Sequence, residues 1–357
     1  MVAASWRGRL ARTVFLAVLF GIGIAVSGFC WNKVRLPFRN PGGITGLLPR
    51  MRFSPYNNIA RFLIVVFAPC LLLVIAYAFA ERLKLRPVFH AEKTPTASPE
   101  MRPTASRKAR CFLLFALAVF TVVNLLGISN YGTWVDSFHD GETLCPAISY
   151  MDGQVPYRDF WFAHGLYQDP LRSVLAFKLF GKSIASMKAL QTMSQLVMIL
   201  LLAFLLYRLF KGDLLRVFAT MLLLFVLMGM LGDGLHFIVA EHREMIPILF
   251  LILLTYLHEL LKDDAGLEVG GRRRRKMSAL CFLLSFLPFA SLAYSIDRGT
   301  YLLATYVLLA LAVYLFFVRR SGLARGAVAS SSLGIVTGVL FLGYLLRWGY
   351  GDFLYFT

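Results

Sequence analysis

Apolar residues in this chain come mostly in long unbroken runs, separated by shorter charged stretches. A helix needs about 20 mostly apolar residues to cross the hydrocarbon of a bilayer. Runs of that kind occur near 13–31, 59–80, 111–128, 188–210, 215–231, 245–261, 278–295, 301–318 and 328–346. They predict an all-α, polytopic transmembrane helix bundle of about nine spans. The first run is long and has no clear small-residue cleavage site, so it reads as a retained anchor rather than a signal peptide. No internal repeat is evident.

The polar segments orient these spans. The N-terminus carries Arg7, Arg9 and Arg12; segment 81–110 carries bases from Arg82 to Arg110; 262–277 holds Arg272–Arg275 and Lys276; 319–326 holds Arg319, Arg320 and Arg325. With nine spans and a cytoplasmic N-terminus all four fall inside, as the excess of Lys and Arg in cytoplasmic loops requires. One loop disagrees: 32–58 carries Lys33, Arg35, Arg39, Arg50 and Arg52 with no acid, yet falls outside. Either a span is miscounted there or the loop meets lipid phosphates. Pro87, Pro95, Pro99 and Pro103 mark 81–110 as a solvated linker. The chain thus divides into a two-span hairpin at 1–80, the basic linker at 81–110, and a transmembrane core at 111–357.

Composition supports this class. Of 357 residues 58% are hydrophobic and 16% charged, with a mean hydropathy of +0.68. An ordinary soluble domain carries about 25% charged residues, and a disordered chain is far less apolar. The net charge of +18 would suggest nucleic acid in a soluble protein. Here the basic residues sit between spans and read as topology determinants, and no nucleic-acid partner is expected. Five scattered cysteines show no CxxC and no metal-ligand spacing, so no disulfide framework, metal or cofactor is indicated.

The acids are concentrated in one place. Segment 129–170, the long outer loop of the core, holds Asp136, Asp140, Glu142, Asp152, Asp159 and Asp169 against a single Arg158. Depletion of bases from outer loops explains the missing Lys and Arg. It does not explain the aromatic residues among the acids, from Trp134 to Tyr167, or His139 and His164. Aromatic faces with polar edges suit a sugar pocket. After Pro170, Leu171, Val174, Leu175 and Leu179 alternate with Arg172, Lys178 and Lys182 at the spacing of a short interfacial amphipathic helix. Its cationic side chains are expected at headgroup level, and Gly181 is expected to end it.

His139-Asp140-Gly141-Glu142, then Met151-Asp152-Gly153-Gln154-Val155-Pro156-Tyr157-Arg158-Asp159-Phe160 and Ala163-His164-Gly165, resembles the first outer loop of GT-C superfamily glycosyltransferases. The nearest resemblance is to bacterial membrane enzymes grouped with the dolichyl-phosphate-mannose protein mannosyltransferases, over about residues 111–300. It implies a polyprenyl-phosphate-linked sugar as donor, and a glycan, lipid or protein acceptor. It also implies an acidic residue just after a span as the base that activates the acceptor, and a bacterial inner-membrane location. Members are commonly longer, so a chain stopping at Thr357 is expected to be a fragment or a reduced relative.

On that resemblance Asp140 is the first candidate base and Glu142 the second; each is also readable as a plain surface acid. Asp136 reads as a helix cap. Arg158 and Asp159 are expected to pair and shape the loop, with sugar contact as the sharper alternative, and His164 could bind acceptor or phosphate. The dense charge at 232–244 precedes a span and is costly against lipid, so it should face protein or water. Within it Glu241 or Glu244 would match an acidic residue lining the site, and Arg243 would meet the donor phosphate. In the tight turn 295–299 Asp297 and Arg298 are expected to pair, with contact of Arg298 to a lipid phosphate at that depth as the sharper alternative. The rival readings are a transporter or flippase for a lipid-linked saccharide, which should show charges or breaks at mid-span, and a non-catalytic subunit.

Overall fold

The computed structural model describes residues 2–31, 33–36, scattered positions between 57 and 76, and 107–128, 139–162, 164–231, 242–262, 271–313 and 324–356. It divides into two compact units, Met1–Thr104 and Ala105–Thr357. Linker residues 81–106 and loop residues 129–138, including Asp136, lie outside the described residues, as do 232–241 with Glu241 and nearly all of 37–58.

In the first unit, α1 (Val2–Trp31) is helical throughout. Ser27 donates to the carbonyls of Gly23 and Ile64, tying α1 to the helical positions that follow. The second unit holds α2 (Arg107–Ile128), α3 (His139–Met151), a π turn (Tyr167–Leu171), α4 (Arg172–Phe180), α5 (Ile184–Leu209) and α6 (Leu214–Leu231). A 3₁₀ turn (His242–Glu244) then leads into α7 (Met245–Lys262), α8 (Gly271–Tyr294), α9 (Ile296–Val313), α10 (Ala324–Leu345) and α11 (Tyr350–Phe356).

The described residues are mainly helical, with one isolated bridge between Pro156 and Phe160 and no strand among them. Four helices are long and apolar enough to cross a membrane: Ile184–Leu209, His242–Leu261, Arg273–Tyr294 and Arg325–Leu345. Leu200, Val307 and Leu333 point outward from α5, α9 and α10 at 55%, 57% and 60% exposure. Outward apolar side chains along whole helices suit a lipid environment and would be an aggregation hazard in water.

Local sequence sets the ends. Ser183 caps α5 by accepting from the Ser186 N–H at 3.1 Å, and Asp213 caps α6 through the Arg216 N–H at 3.2 Å. Gly181 ends α4 with φ 88. Between α8 and α10 the backbones approach closely because Gly334 and Gly338, one turn apart, face Ser285, Phe282 and Phe289. Small residues at i and i+4 are a common device for close helix contact in membranes.

Two departures from the sequence reading matter for the site. Segment 129–170 is not a continuous loop: its residues 139–151 form α3 and 167–171 the π turn. Arg172 does not point outward as an interfacial cation would, being 4% exposed on the inward face of α4 with Ser173, Val174 and Ala176. The outward face of that helix carries Leu175, Lys178, Leu179 and Phe180.

Candidate functional site

One end of the second unit gathers α3, the 152–171 segment, the 3₁₀ turn, the α8–α9 turn and the end of α10. An apolar cluster of Tyr157, Phe162, Leu166, Ala293, Leu342, Leu346 and Phe353 holds them together. Arg347 adds a clamp: it donates to the Tyr150 carbonyl at 2.7 Å and lies 4.7 Å over the Tyr150 ring. Tyr150 in turn donates to the Leu345 carbonyl at 3.0 Å.

Asp140 and Glu142 both lie in the first turn of α3. Positions two apart on a helix are separated by about 200° of rotation, so they face different ways. The Asp140 carboxylate is 3.4 Å from the Lys188 ammonium of α5. Thr143, on the same face, donates to the Asp140 carbonyl and meets the Met187 sulfur. Asp140 is therefore a nearly buried carboxylate packed on α5. Glu142 is half-buried and acts electrostatically on His164.

His164 is held by Asp169. Its backbone N–H donates to Asp169 Oδ2 at 2.9 Å, and its Nδ1 lies 3.2 Å from Oδ1 of the same carboxylate. Asp169 has a side chain only 2% exposed. That hydrogen bond raises the His164 pKa above the ordinary histidine value; burial opposes it, and the Asp169 charge adds to the rise. The His164 carbonyl accepts from the Ile296 N–H at 2.9 Å, which fastens this loop to the α8–α9 turn. Gly165 makes that approach possible: at φ 151, a Cβ there would stand 2.7 Å from the Ser295 Cα and the Tyr294 carbonyl.

The α8–α9 turn brings more charge. Arg298 donates to Glu244 at 2.5 Å and to Asp297 at 2.9 Å. Asp297 also accepts from the Ser295 hydroxyl and the Arg298 N–H. Arg243 stands 4.0 Å from the same carboxylate and bears on the charge state of His164. Arg243, Glu244, Asp297 and Arg298 thus form one charged cluster, and His164, on which both Arg243 and Glu142 bear electrostatically, lies near it. Arg158 and Asp159 make a separate exposed pair at 3.0 Å. Asp159 also accepts from the Val155 N–H at 2.7 Å and so closes the turn. Those two contacts, Arg158 first, hold its carboxyl below the usual range.

Beneath the cluster runs a buried polar chain that the sequence reading did not find. Arg172 bonds His242, whose Nδ1 is 3.0 Å from the Tyr294 hydroxyl; the Tyr294 ring stacks on Tyr167 at 4.5 Å. A guanidinium only donates, so His242 Nε2 accepts and the ring proton sits on Nδ1. Asp169, Arg172, His242, Tyr294 and Arg347 were missed as positioning groups. Their partners lie across a turn or tens of residues away, and the one visible hint was the crowd of charges ahead of α7.

Chemically, the arrangement offers carboxylates of different burial, a histidine oriented by a buried acid, and two arginines, at one end of apolar helices and beside the outward apolar face of α4. Comparison with protein-family models, curated proteins and solved structures gives no match for this chain.

Proposed function

We propose that the protein is a membrane glycosyltransferase that moves a sugar from a polyprenyl-phosphate donor to an acceptor hydroxyl at the non-cytoplasmic face. The observation that carries the reading is the cluster of Arg243, Glu244, Asp297 and Arg298 at the end of the apolar helices, with His164, held by Asp169, electrostatically linked to it. Such a reaction needs a proton acceptor and a cation for the departing phosphate, both within reach of a lipid.

In this reading a carboxylate of α3 takes the proton of the acceptor hydroxyl as its oxygen attacks the anomeric carbon. The bond from that carbon to the donor phosphate oxygen breaks, and the lipid phosphate leaves carrying the negative charge. Glu142, which bears on His164, is assigned this work ahead of Asp140, whose carboxylate meets Lys188. Arg243, which stands 4.0 Å from Asp297 and bears on the charge of His164, is the cation assigned to the phosphate. Arg298 orients Glu244 and Asp297. His164, held by Asp169, contacts the acceptor, while Arg158 and Asp159 shape the loop.

The nine-span count belongs to this proposal: α1, α2 and α5 to α10 with the 59–80 run would cross, placing α3 and α4 at the outer face. So does the setting, a bacterial inner membrane with a cytoplasmic N-terminus. The test is sugar transfer by the full chain in proteoliposomes, measured against the concentration of labelled polyprenyl-phosphate sugars. Arg243→Gln should raise the donor KM at least about tenfold, the scale of one lost charge-assisted hydrogen bond. No transfer with any donor would sink the reading and leave the flippase or the non-catalytic subunit.

A further inference from the structure

At the opposite end of the second unit, an apolar cleft of about 240 Å³ opens between α7, α8, α9 and α10. Leu257, Leu284, Tyr306, Ala310, Val328 and Ile335 line it. The volume is below the about 300–1,000 Å³ of a pocket that swallows a whole ligand. It suits a length of hydrocarbon chain entering from the side. Val328 and Ile335 are 50% and 37% exposed, so the cleft meets the lipid-facing surface.

Two side-chain stripes lead from this cleft to a basic rim. On α8, Arg274, Ser278 and Cys281 recur at i, i+4 and i+7; on α10, Arg325, Val328 and Ser332 recur at i, i+3 and i+7. Such spacings share a helix face. Seven residues span about 10 Å along the axis, which separates the rim from the cleft by the distance between a headgroup and the upper part of its chains. Arg274 lies against Gly326 in the first turn of α10, so the two stripes converge. Arg273 is otherwise engaged, donating to the Leu260 carbonyl at the end of α7 at 2.6 Å. Arg274 and Arg325 are exposed.

We propose that this end of the bundle binds an anionic glycerophospholipid of the adjacent leaflet, its phosphate on Arg274 and Arg325 and one acyl chain in the cleft. The charge of the rim selects the headgroup, and the cleft distinguishes a seated lipid from diffuse attraction to a charged surface. The site is independent of the charged cluster at the other end and of the activity assigned to it. Asp263, Asp264 and Glu268 precede α8 in sequence, outside the described residues.

The experiment is native mass spectrometry of the full chain released from detergent, titrated with dioleoyl phosphatidylglycerol and, separately, dioleoyl phosphatidylcholine. Wild type should bind the anionic lipid in preference. Each arginine near a charged membrane surface contributes about fivefold, so Arg274→Gln with Arg325→Gln should erase a preference of about 30-fold. Ala310→Trp, or Ser332→Phe if the first misfolds, should weaken both lipids by filling the cleft. Lys211→Gln with Arg216→Gln removes two charges outside the cleft and should change neither. Equal binding of the two lipids overturns the proposal. So does an equal loss in the Lys211 and Arg216 control, or no effect of filling the cleft in a folded variant.

Discussion

Gly165→Ala probes the contact on which the assembly of the charged cluster depends. At φ 151 this residue occupies backbone space that an L side chain rarely enters, and strain of that kind costs about 1–3 kcal/mol. The new methyl group would also stand 2.7 Å from two backbone atoms of the α8–α9 turn, where neither can rotate away. Overpacking adds about 1–3 kcal/mol. The sum, about 2–6 kcal/mol, exceeds the about 1 kcal/mol by which alanine commonly improves on glycine in a helix. Gly141, in α3, supplies the opposite case, because a methyl group added there meets nothing within 4 Å. Thermal unfolding of the full chain in detergent should show a lower midpoint for Gly165→Ala, by about 4 °C or more. Gly141→Ala should be unchanged or higher. Trypsin should cut faster at Arg158 in the first variant, because the His164 carbonyl no longer holds the Ile296 N–H. Shifts of the same sign and size in both variants would refute the reasoning.

Gly334→Ala should destabilise by more than Gly338→Ala, since a methyl group at 334 would overlap the Phe282 backbone carbonyl, whereas at 338 the nearest atoms, those of the Phe289 side chain, lie at 2.6–2.8 Å; the same melts decide it. Tyr157→Phe should leave the melting midpoint unchanged or raise it, because the buried hydroxyl has no hydrogen-bond partner among the described residues and burying such a group costs about 1–3 kcal/mol. A clear fall would mean that the hydroxyl is bonded after all. His164 has a pKa above its unfolded value, so its pairing with Asp169 contributes stability in full below about pH 6.5 and loses it as pH rises through the folded value. The difference in midpoint between wild type and Asp169→Asn should therefore be largest near about pH 5.5 and shrink toward about pH 8; a difference independent of pH counts against the pairing.

The apolar runs after residue 110 located helices, four of them long and apolar enough to cross a membrane, because such a helix is written locally: it satisfies its own backbone and needs only length and hydropathy. The helix after Pro170 and its end at Gly181 were legible for the same reason, from spacing and a residue suited to positive φ. Helix α3 was not. Gly141 and Pro146 argue against a helix on propensity, and packing on the π turn and α4 overrides them. Arg172 was misplaced because its spacing suits an interfacial cation, while its partner His242 lies 70 residues away. The motif ranked Asp140 ahead of Glu142; the preference for Glu142 in the proposal rests on the helical rotation between them and on the position of Lys188. The Gly334 and Gly338 spacing is visible in the sequence, but only the structure shows that α8 is the partner.

The most direct measurement is sugar transfer from labelled polyprenyl-phosphate donors by membranes containing wild type, Asp140→Asn or Glu142→Gln at equal abundance. The account predicts transfer by wild type, near-complete loss in Glu142→Gln, and a smaller loss in Asp140→Asn, whose carboxylate packs on Lys188. Transfer that survives Glu142→Gln at the wild-type rate, or a wild type inactive with every donor, would contradict it.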